Sequence, residues 1–258
     1  MVTAFINSFQ SEWLKRKRSA ATWLTFVGAF LIPLIFTIAR IVNFDELYSS
    51  VKSDKFWEIL FRQSWQMMAI FMLPFGVILA TSLITQLEYK NNTWKQLHTS
   101  PQSLTIIFFS KLSVIIVMMA QFFILFNLGI YLSGIIPSII FRGIPFPEAG
   151  IPWEFWIKSD IKFFISCLPI IAIQYMISLQ FKNFLVPLGI GIGLFVASMI
   201  AMSWKHGYLI PYIFCTLTFV GPGSDVRSPV SIHFVALAYF FVFTIISYIL
   251  YLNKREKG

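Results

Sequence analysis

The chain has 258 residues, of which 57% are hydrophobic and 12% are charged, and its formal net charge is +9. Soluble domains are usually about a quarter charged, so this composition, with a mean hydropathy of +0.76, excludes an ordinary water-soluble protein. Apolar runs of about 20 residues, the length that crosses a hydrocarbon layer as a helix, recur along the chain. We predict an all-α polytopic membrane protein with one transmembrane domain over residues 1–258 and with no nucleic-acid partner.

The first segment, residues 3–18, has the pattern of an amphipathic helix. Phe5, Phe9 and Trp13 recur every four residues, which places them on one helix face. We expect this helix to lie in the membrane interface, with its aromatic face toward lipid and its polar face toward water. The alternative is an N-terminus that serves only to set topology. No small-residue cleavage site follows the basic run at 15–18, so we interpret the next apolar segment as an uncleaved helix.

Six apolar segments predict transmembrane helices, at residues 20–41, 64–87, 104–135, 161–181, 184–204 and 232–252. Residues 43–62 have mixed charge and are predicted to form an outer loop. Residues 209–220 are apolar but too short to span a bilayer, and Gly221, Pro222 and Gly223 then turn the chain. This pattern predicts a re-entrant outer hairpin between helices 5 and 6.

The charge distribution predicts the topology. With both termini in the cytoplasm, the inner side carries eleven Lys and Arg against three acids, whereas the outer side carries nine against eight. Nearly all of the net charge then lies inside. The positive-inside rule counts Lys and Arg in short loops, and both termini and the segment 88–103 agree with it.

The spans offer amide side chains rather than ionisable ones. The centres of all six predicted spans lack Asp, Glu, Lys, Arg and His, and coupled carriers usually place such groups there. Four amides form a candidate substrate pathway, although hydrogen bonds between helices would explain them equally well: Gln66, Gln121, Asn127 and Gln174. No GxxxxGK[ST] loop occurs in the chain, so a nucleotide would have to be bound elsewhere. We predict no catalytic residues, no metal site and no cofactor on this chain.

The polar segment 88–103 lies between two strongly apolar spans. Trp94 and Leu97 are three residues apart and would share one helix face, which could fill a groove on a soluble partner. Glu88, Thr93 and Lys95 supply polar groups beside them. The alternative is a loop that buries Trp94 among lipid headgroups.

Three features together resemble the ABC-2 type permeases, the six-helix membrane subunits of ABC exporters. They are the N-terminal amphipathic helix, the short segment between spans two and three, and the re-entrant hairpin. Many members carry Glu, then Gly-Thr-Trp-Lys-x-Leu and a Ser or Pro in the coupling segment; Glu88, Thr93, Trp94, Lys95, Leu97, Pro101 and, further on, Lys111 fit this pattern. Asn92 stands where Gly is common. Size and motif are most similar to the lantibiotic-immunity and bacteriocin-type branch.

The resemblance implies a permease of an exporter in the cytoplasmic (inner) membrane of a bacterium. A separate P-loop ATPase subunit would bind ATP and Mg and contact residues 88–103 as a coupling helix. A second permease copy, or a homologue, and membrane lipid would be the other partners. The substrate would be amphipathic, a peptide or a lipid-like molecule. A membrane sensor or scaffold and an ATP-independent carrier remain the alternatives.

Overall fold

The computed structural model describes residues 2–17, 19–90, 103–141, 143–221 and 230–253. Within them the chain is helical, and no strand occurs in these ranges. The helices are α1 Val2–Lys17, α2 Ala20–Val42, α3 Phe44–Val51, α4 Phe56–Met67, α5 Leu73–Lys90, α6 Leu104–Ile140, α7 Trp153–Gln180, α8 Leu185–Ile200, α9 Phe214–Val220 and α10 Ile232–Asn253. A π-helical turn, Met68–Met72, joins α4 to α5.

Six helices in the described part of the chain are long and apolar enough to cross a membrane: Ala20–Val42, Phe56–Leu87, Leu104–Ile140, Trp153–Gln180, Leu185–Ser203 and Ile232–Asn253. The predicted all-α class with six spans is therefore confirmed. The recurrence of apolar runs carries this result, because each run alone has the length of a bilayer crossing.

The predicted outer loop at 43–62 is wrong in its second half. The chain forms the short helix α3, and then α4 begins at Phe56 and continues through the π turn into the second span. Phe56 and Leu60 are four residues apart, as are Trp57 and Phe61, and all four side chains are at most 4% exposed. Their helical spacing gives α4 a buried face, so the second span helix starts well before residue 64.

Two other span helices are longer than predicted. α6 continues to Ile140 through Pro137, which has no N–H to offer the carbonyl of Ser133; the Arg40 guanidinium donates to that carbonyl instead, at 2.8 Å. α7 begins at Trp153 rather than at 161. Its first turns are held by Trp156, whose ring lies 5.1 Å from the ring of Phe61.

Close helix contacts organise the bundle around α6. α2 packs along it, and a Cβ on Gly129 would lie 2.8 Å from Cγ of Pro33. A Cβ on Gly134 would lie 2.5 Å from the ring of Trp57. Any larger residue at these two positions would push α2 or α4 away. On the other side of the bundle, α7 packs against both α10 and α5.

The short apolar segment Pro211–Val220 begins with a 3-10 turn and continues as α9. It is too short to span a bilayer, and it packs on α7 and on the π turn. Gly221 ends α9 with a φ of 80°, a conformation that glycine adopts without steric cost. Residues 222–229 lie outside the described residues, so the re-entrant hairpin stays a prediction.

Candidate functional site

The segment predicted to couple to an ATPase joins α5 to α6. α5 ends at Lys90, and Ser103 caps α6, its hydroxyl accepting a hydrogen bond from the backbone N–H of Ile106. The side chain of Glu88 and the residues Thr93, Trp94, Lys95 and Leu97 lie outside the described residues. The structure does describe α5 and α6, the two helices that this segment joins.

α1 packs one row of polar side chains against α6. Ser8, Glu12 and Arg16 are 3%, 6% and 4% exposed and lie against α6, whereas Ile6 and Leu14 are exposed. The prediction that the polar side of this helix faces water agrees with Asn7, Gln10 and Ser11, which are exposed, but it is wrong for Glu12, which is buried. The reason is that α6 supplies polar partners, so this row is satisfied by protein.

Three polar contacts attach α1 to α6. The Ser8 and Ser110 hydroxyls are 2.8 Å apart, Glu12 forms an ion pair with Lys111 at 3.1 Å, and Arg16 donates to the Gln121 amide oxygen at 3.1 Å.

Charge neutralisation keeps Glu12 ionised at this contact. Burial alone would raise the pKa of the Glu12 carboxyl, but Lys111 and Lys15 outweigh burial and hold that pKa below its usual value. A carboxyl whose pKa is lowered by folding contributes its full stabilisation above the pKa of the unfolded chain and loses it as the pH falls through the lowered pKa of the folded state. The ion pair is therefore present over the whole physiological pH range and is lost only in stronger acid.

The aromatic residues predicted to face lipid from α1 occupy a second face. Phe5, Phe9 and Trp13 are partly buried. The rings of Phe9 and Trp13 stack 6.0 Å apart, and the Arg16 guanidinium lies 3.7 Å from the centre of the Trp13 ring. This face packs in part on its own helix.

Gln174 joins four segments of the bundle. From α7, its amide nitrogen donates to the Ser82 hydroxyl on α5 at 2.7 Å and to the Pro187 carbonyl on α8 at 2.8 Å. The Tyr212 hydroxyl donates to its amide oxygen at 3.3 Å. Gly191 makes room for this amide, since a Cβ there would lie 2.4 Å from the Gln174 oxygen.

The same interface continues toward the end of α5. The Gln86 amide donates to the carbonyl of Ser178 at 3.0 Å and to that of Phe181 at 2.7 Å. These carbonyls belong to the C-terminal end of α7, where helical N–H partners are missing. α5 is thus hydrogen-bonded to α7 through Ser82 and Gln86, one helical turn apart and close to the predicted coupling segment.

The other predicted pathway amides have different surroundings. Gln121 is held by Arg16 of α1. The Asn127 amide donates to the Asp160 carboxylate at 2.6 Å, so an acidic residue of α7 lies beside α6. The predicted start of the fourth span at 161 had left Asp160 outside that span. Gln66 lies on the exposed side of α4. The four amides therefore do not converge on one cavity.

An apolar groove of about 200 Å³ opens between α2, α5 and α6. Its walls include Val27, Leu31, Met68, Met72, Met118 and Phe122. Thr25 also lines it, but the Thr25 hydroxyl is engaged with the Ala21 carbonyl at 2.9 Å. Methionine side chains adapt readily to ligands of different shape, so this groove suits an apolar chain. Sequence periodicity gave no sign of it, because its walls come from three distant helices.

Pro74 explains the π turn at one edge of this groove. Proline cannot donate to the carbonyl four residues earlier, here that of Ile70. The Thr216 hydroxyl of α9 lies 3.5 Å from the Ile70 carbonyl oxygen, and the backbone N–H of Leu73 bonds to the carbonyl of Met68. π turns are frequent at functional sites, and this one connects the groove to α9.

Two glycines on α8 face outward. Gly189 and Gly193 are exposed, and a Cβ on either would meet nothing within 4 Å. They are four residues apart and so lie on the same helix face, while Gly191 between them faces inward. The i, i+4 spacing of Gly189 and Gly193 can be recognised in the sequence and would have indicated a shared face for close helix contact.

Six membrane-crossing helices joined by buried polar contacts, with an apolar groove between three of them, define a multi-pass α-helical membrane protein. A family model described as an ABC-2 family transporter protein matches residues 8–198. The chain belongs to this family, and the predicted resemblance to the ABC-2 type permeases is confirmed. It is therefore a permease component of an ABC transporter, a membrane transport subunit without its own ATP site. No curated protein and no solved structure matches the chain.

Proposed function

We propose that the chain is the membrane-spanning subunit of an ATP-driven exporter, powered by a separate P-loop ATPase that binds ATP and Mg and contacts residues 88–103. The observation that carries this proposal is the hydrogen-bonded path from α5 through Gln174. A displacement of the end of α5 reaches α7 through Gln86 and Ser82, and Gln174 passes it to α8 and to Tyr212. Trp94 and Leu97 are the residues proposed to receive the force.

The other end of the segment leads into α6. Because Glu12 is paired with Lys111, seven residues into α6, α1 would move together with the start of that helix. Phe5, Phe9 and Trp13 would then slide along the membrane surface as the ATPases close. This proposal gives α1 the role of a connecting helix.

The groove between α2, α5 and α6 supports an amphipathic, peptide or lipid-like substrate. Its wall is apolar, and a buried apolar cavity of about 150 Å³ is large enough to bind benzene, so about 200 Å³ accommodates part of an aliphatic or aromatic side chain. A small charged solute would have no partner there. Lantibiotic or bacteriocin immunity is the biological setting that such a substrate would fit.

A second permease copy, or a homologue, is proposed to pack on α8. The exposed Gly189 and Gly193 let another helix approach closely, and small residues spaced in this way favour helix association in lipid. With both termini cytoplasmic, as the charge distribution predicts, the coupling segment would face the cytoplasm of a bacterial cell and its ATPase.

The coupling proposal is tested with Trp94→Ala and Leu97→Asp in the chain co-expressed with its candidate ATPase. We expect either change to reduce co-purification of the ATPase at least tenfold and to abolish stimulation of ATP hydrolysis by the permease. Trp153→Ala is the matched control, since Trp153 is an exposed indole at the first residue of α7, which the predicted topology places on the outer side of the membrane.

Membrane insertion of all three variants must stay equal for the comparison to hold. Normal co-purification of the Trp94 and Leu97 variants would contradict the coupling role. Substrate flux by the purified chain alone in liposomes would favour the ATP-independent carrier, and full function in cells lacking the ATPase would favour the sensor or scaffold.

A further inference from the structure

A second cavity, of about 240 Å³, lies where α2 ends and α4 begins. Arg40, in the last turn of α2, forms part of its wall. The guanidinium is held in place from two sides: Nη1 donates to the Ser133 carbonyl at 2.8 Å, and the Phe56 ring lies 4.8 Å below the guanidinium carbon. The remaining donors of this side chain are therefore presented in a fixed direction.

One of those donors has no partner. Nη2 of Arg40 is buried and makes no hydrogen bond with the described residues. The cavity wall also contains Asn43, Ser53 and Gln63, whose side chains can donate, and the described residues of this wall include no carboxylate. A charged group that loses water without gaining an acceptor is costly to bury, so the arrangement calls for an anion.

The chemistry of these donors identifies the kind of anion. Guanidinium groups bind phosphate and carboxylate oxygens with two parallel N–H bonds, and amide and hydroxyl donors add further contacts to a tetrahedral oxoanion. The volume greatly exceeds the ~10–15 Å³ that a single water needs by the same kind of measure. We propose that this cavity binds a phosphate group, and that in the membrane the phosphate is that of a lipid headgroup.

The surroundings favour a lipid over a free phosphate. Ile59 forms part of the cavity wall and is 46% exposed, and Ile38, less than one turn before Arg40 on α2, is 52% exposed. A polar cavity at the end of a membrane span, bordered by exposed aliphatic side chains, matches a phospholipid with its phosphate at the headgroup level and its acyl chains beside the helices. A free phosphate would use only the polar part of this site.

The test measures thermal unfolding of the purified full-length chain in detergent. A thiol-reactive dye reports unfolding through the two cysteines, Cys167 and Cys215, which are both buried. Three probes are titrated: dihexanoyl phosphatidylglycerol, dihexanoylglycerol without a phosphate, and inorganic phosphate. Ligands that bind only the folded state raise the midpoint in proportion to their affinity. We expect the phosphatidylglycerol alone to raise it.

Arg40→Gln should weaken the apparent affinity for the phosphatidylglycerol at least about tenfold, since a charge-assisted hydrogen bond is lost. Arg62→Gln is the matched control, because Arg62 is an exposed arginine of α4 that is paired with Glu58; we expect less than a twofold change. Gln63→Leu removes a donor that is not needed for folding and should weaken binding severalfold, against Gln66→Leu as its control.

Three outcomes would overturn the proposal. Equal stabilisation by dihexanoylglycerol would mean that the acyl chains, not the phosphate, are bound. Equal affinities of the Arg40 and Arg62 variants, together with an unchanged Gln63 variant, would place the binding elsewhere. An Arg40-dependent shift with inorganic phosphate as large as that with the phosphatidylglycerol would support the phosphate site but overturn its assignment to a lipid.

Discussion

At the scale of single residues, Gln174 is the best connected polar side chain among those described. It is 0% exposed, and its amide reaches α5, α8 and Tyr212 in addition to its own helix. A hydrogen bond between helices in lipid contributes about 0.6–2 kcal/mol. Because several such hydrogen bonds are made by this one side chain, its replacement would weaken the contacts among all four segments.

We predict that Gln174→Met lowers the free energy of unfolding by about 1–2 kcal/mol. Methionine keeps the length and unbranched shape that Gly191 accommodates, so the effect would come from the lost hydrogen bonds at Ser82 and Tyr212. The measurement is the thermal midpoint in detergent. Gln66→Met, at an exposed position, should change it little, and equal midpoints for both variants would contradict the role given to Gln174.

Residue patterns predicted where helices form better than they predicted which side chains contact each other between helices. The spacing of Phe5, Phe9 and Trp13 correctly indicates that α1 is a helix. It could not show which face is buried, because the partner of Glu12 is Lys111, about a hundred positions further along the chain. Gln174 could be identified from the sequence as a candidate because it is a polar residue within an apolar span. Its hydrogen-bond partners could not be predicted, since they depend on how four segments pack.

At the scale of elements, the predicted end of the third span fails at a proline. The third span was predicted to end at 135, two residues before Pro137, which cannot donate the helical hydrogen bond to Ser133. α6 nevertheless continues to Ile140, since Arg40 supplies the missing donor to Ser133. Such compensation comes from another helix, so it could not be predicted from the residues around Pro137.

The contact between α7 and α9 can be tested through the two cysteines of the chain. The sulfurs of Cys167 and Cys215 are 3.5 Å apart, and a disulfide bond of about 2.05 Å requires only a small further approach. We predict that the membrane-permeable oxidant diamide joins them within one chain, which then migrates faster on a non-reducing gel.

Cys167→Ser is the control and should abolish the shift in migration. If the chain stays reduced while both thiols still react with a maleimide after denaturation, α9 does not pack on α7 as described.

At the scale of the whole molecule, α8 and α10 are the least buried of the described spans. Their exposed residues face lipid or another chain. On α8, Gly189 and Gly193 give that surface a shallow recess, which favours a second helix over lipid because lipid chains gain nothing from close backbone approach.

We predict that the double variant Gly189→Leu and Gly193→Leu weakens self-association by about 1 kcal/mol, or roughly fivefold. The measurement is the monomer–dimer equilibrium in detergent by fluorescence energy transfer. Gly150→Leu is the control, because Gly150 is equally unhindered but precedes α7 in a loop. Unchanged association in the double variant would remove α8 from the proposed interface.

The π turn at Met68–Met72 makes the protein sensitive to residue number as well as to residue type. Each residue of an α-helix advances the direction of the side chain by about 100°, and a π turn accommodates one extra residue without lengthening the span. Ser82 and Gln86 follow this turn and hydrogen-bond to α7. Deleting one codon inside the turn would remove only the extra residue, whereas deleting one between the turn and Ser82 would keep the hydrophobicity of the span intact yet rotate both side chains by about 100° away from α7; such an in-frame deletion would be more damaging than most substitutions.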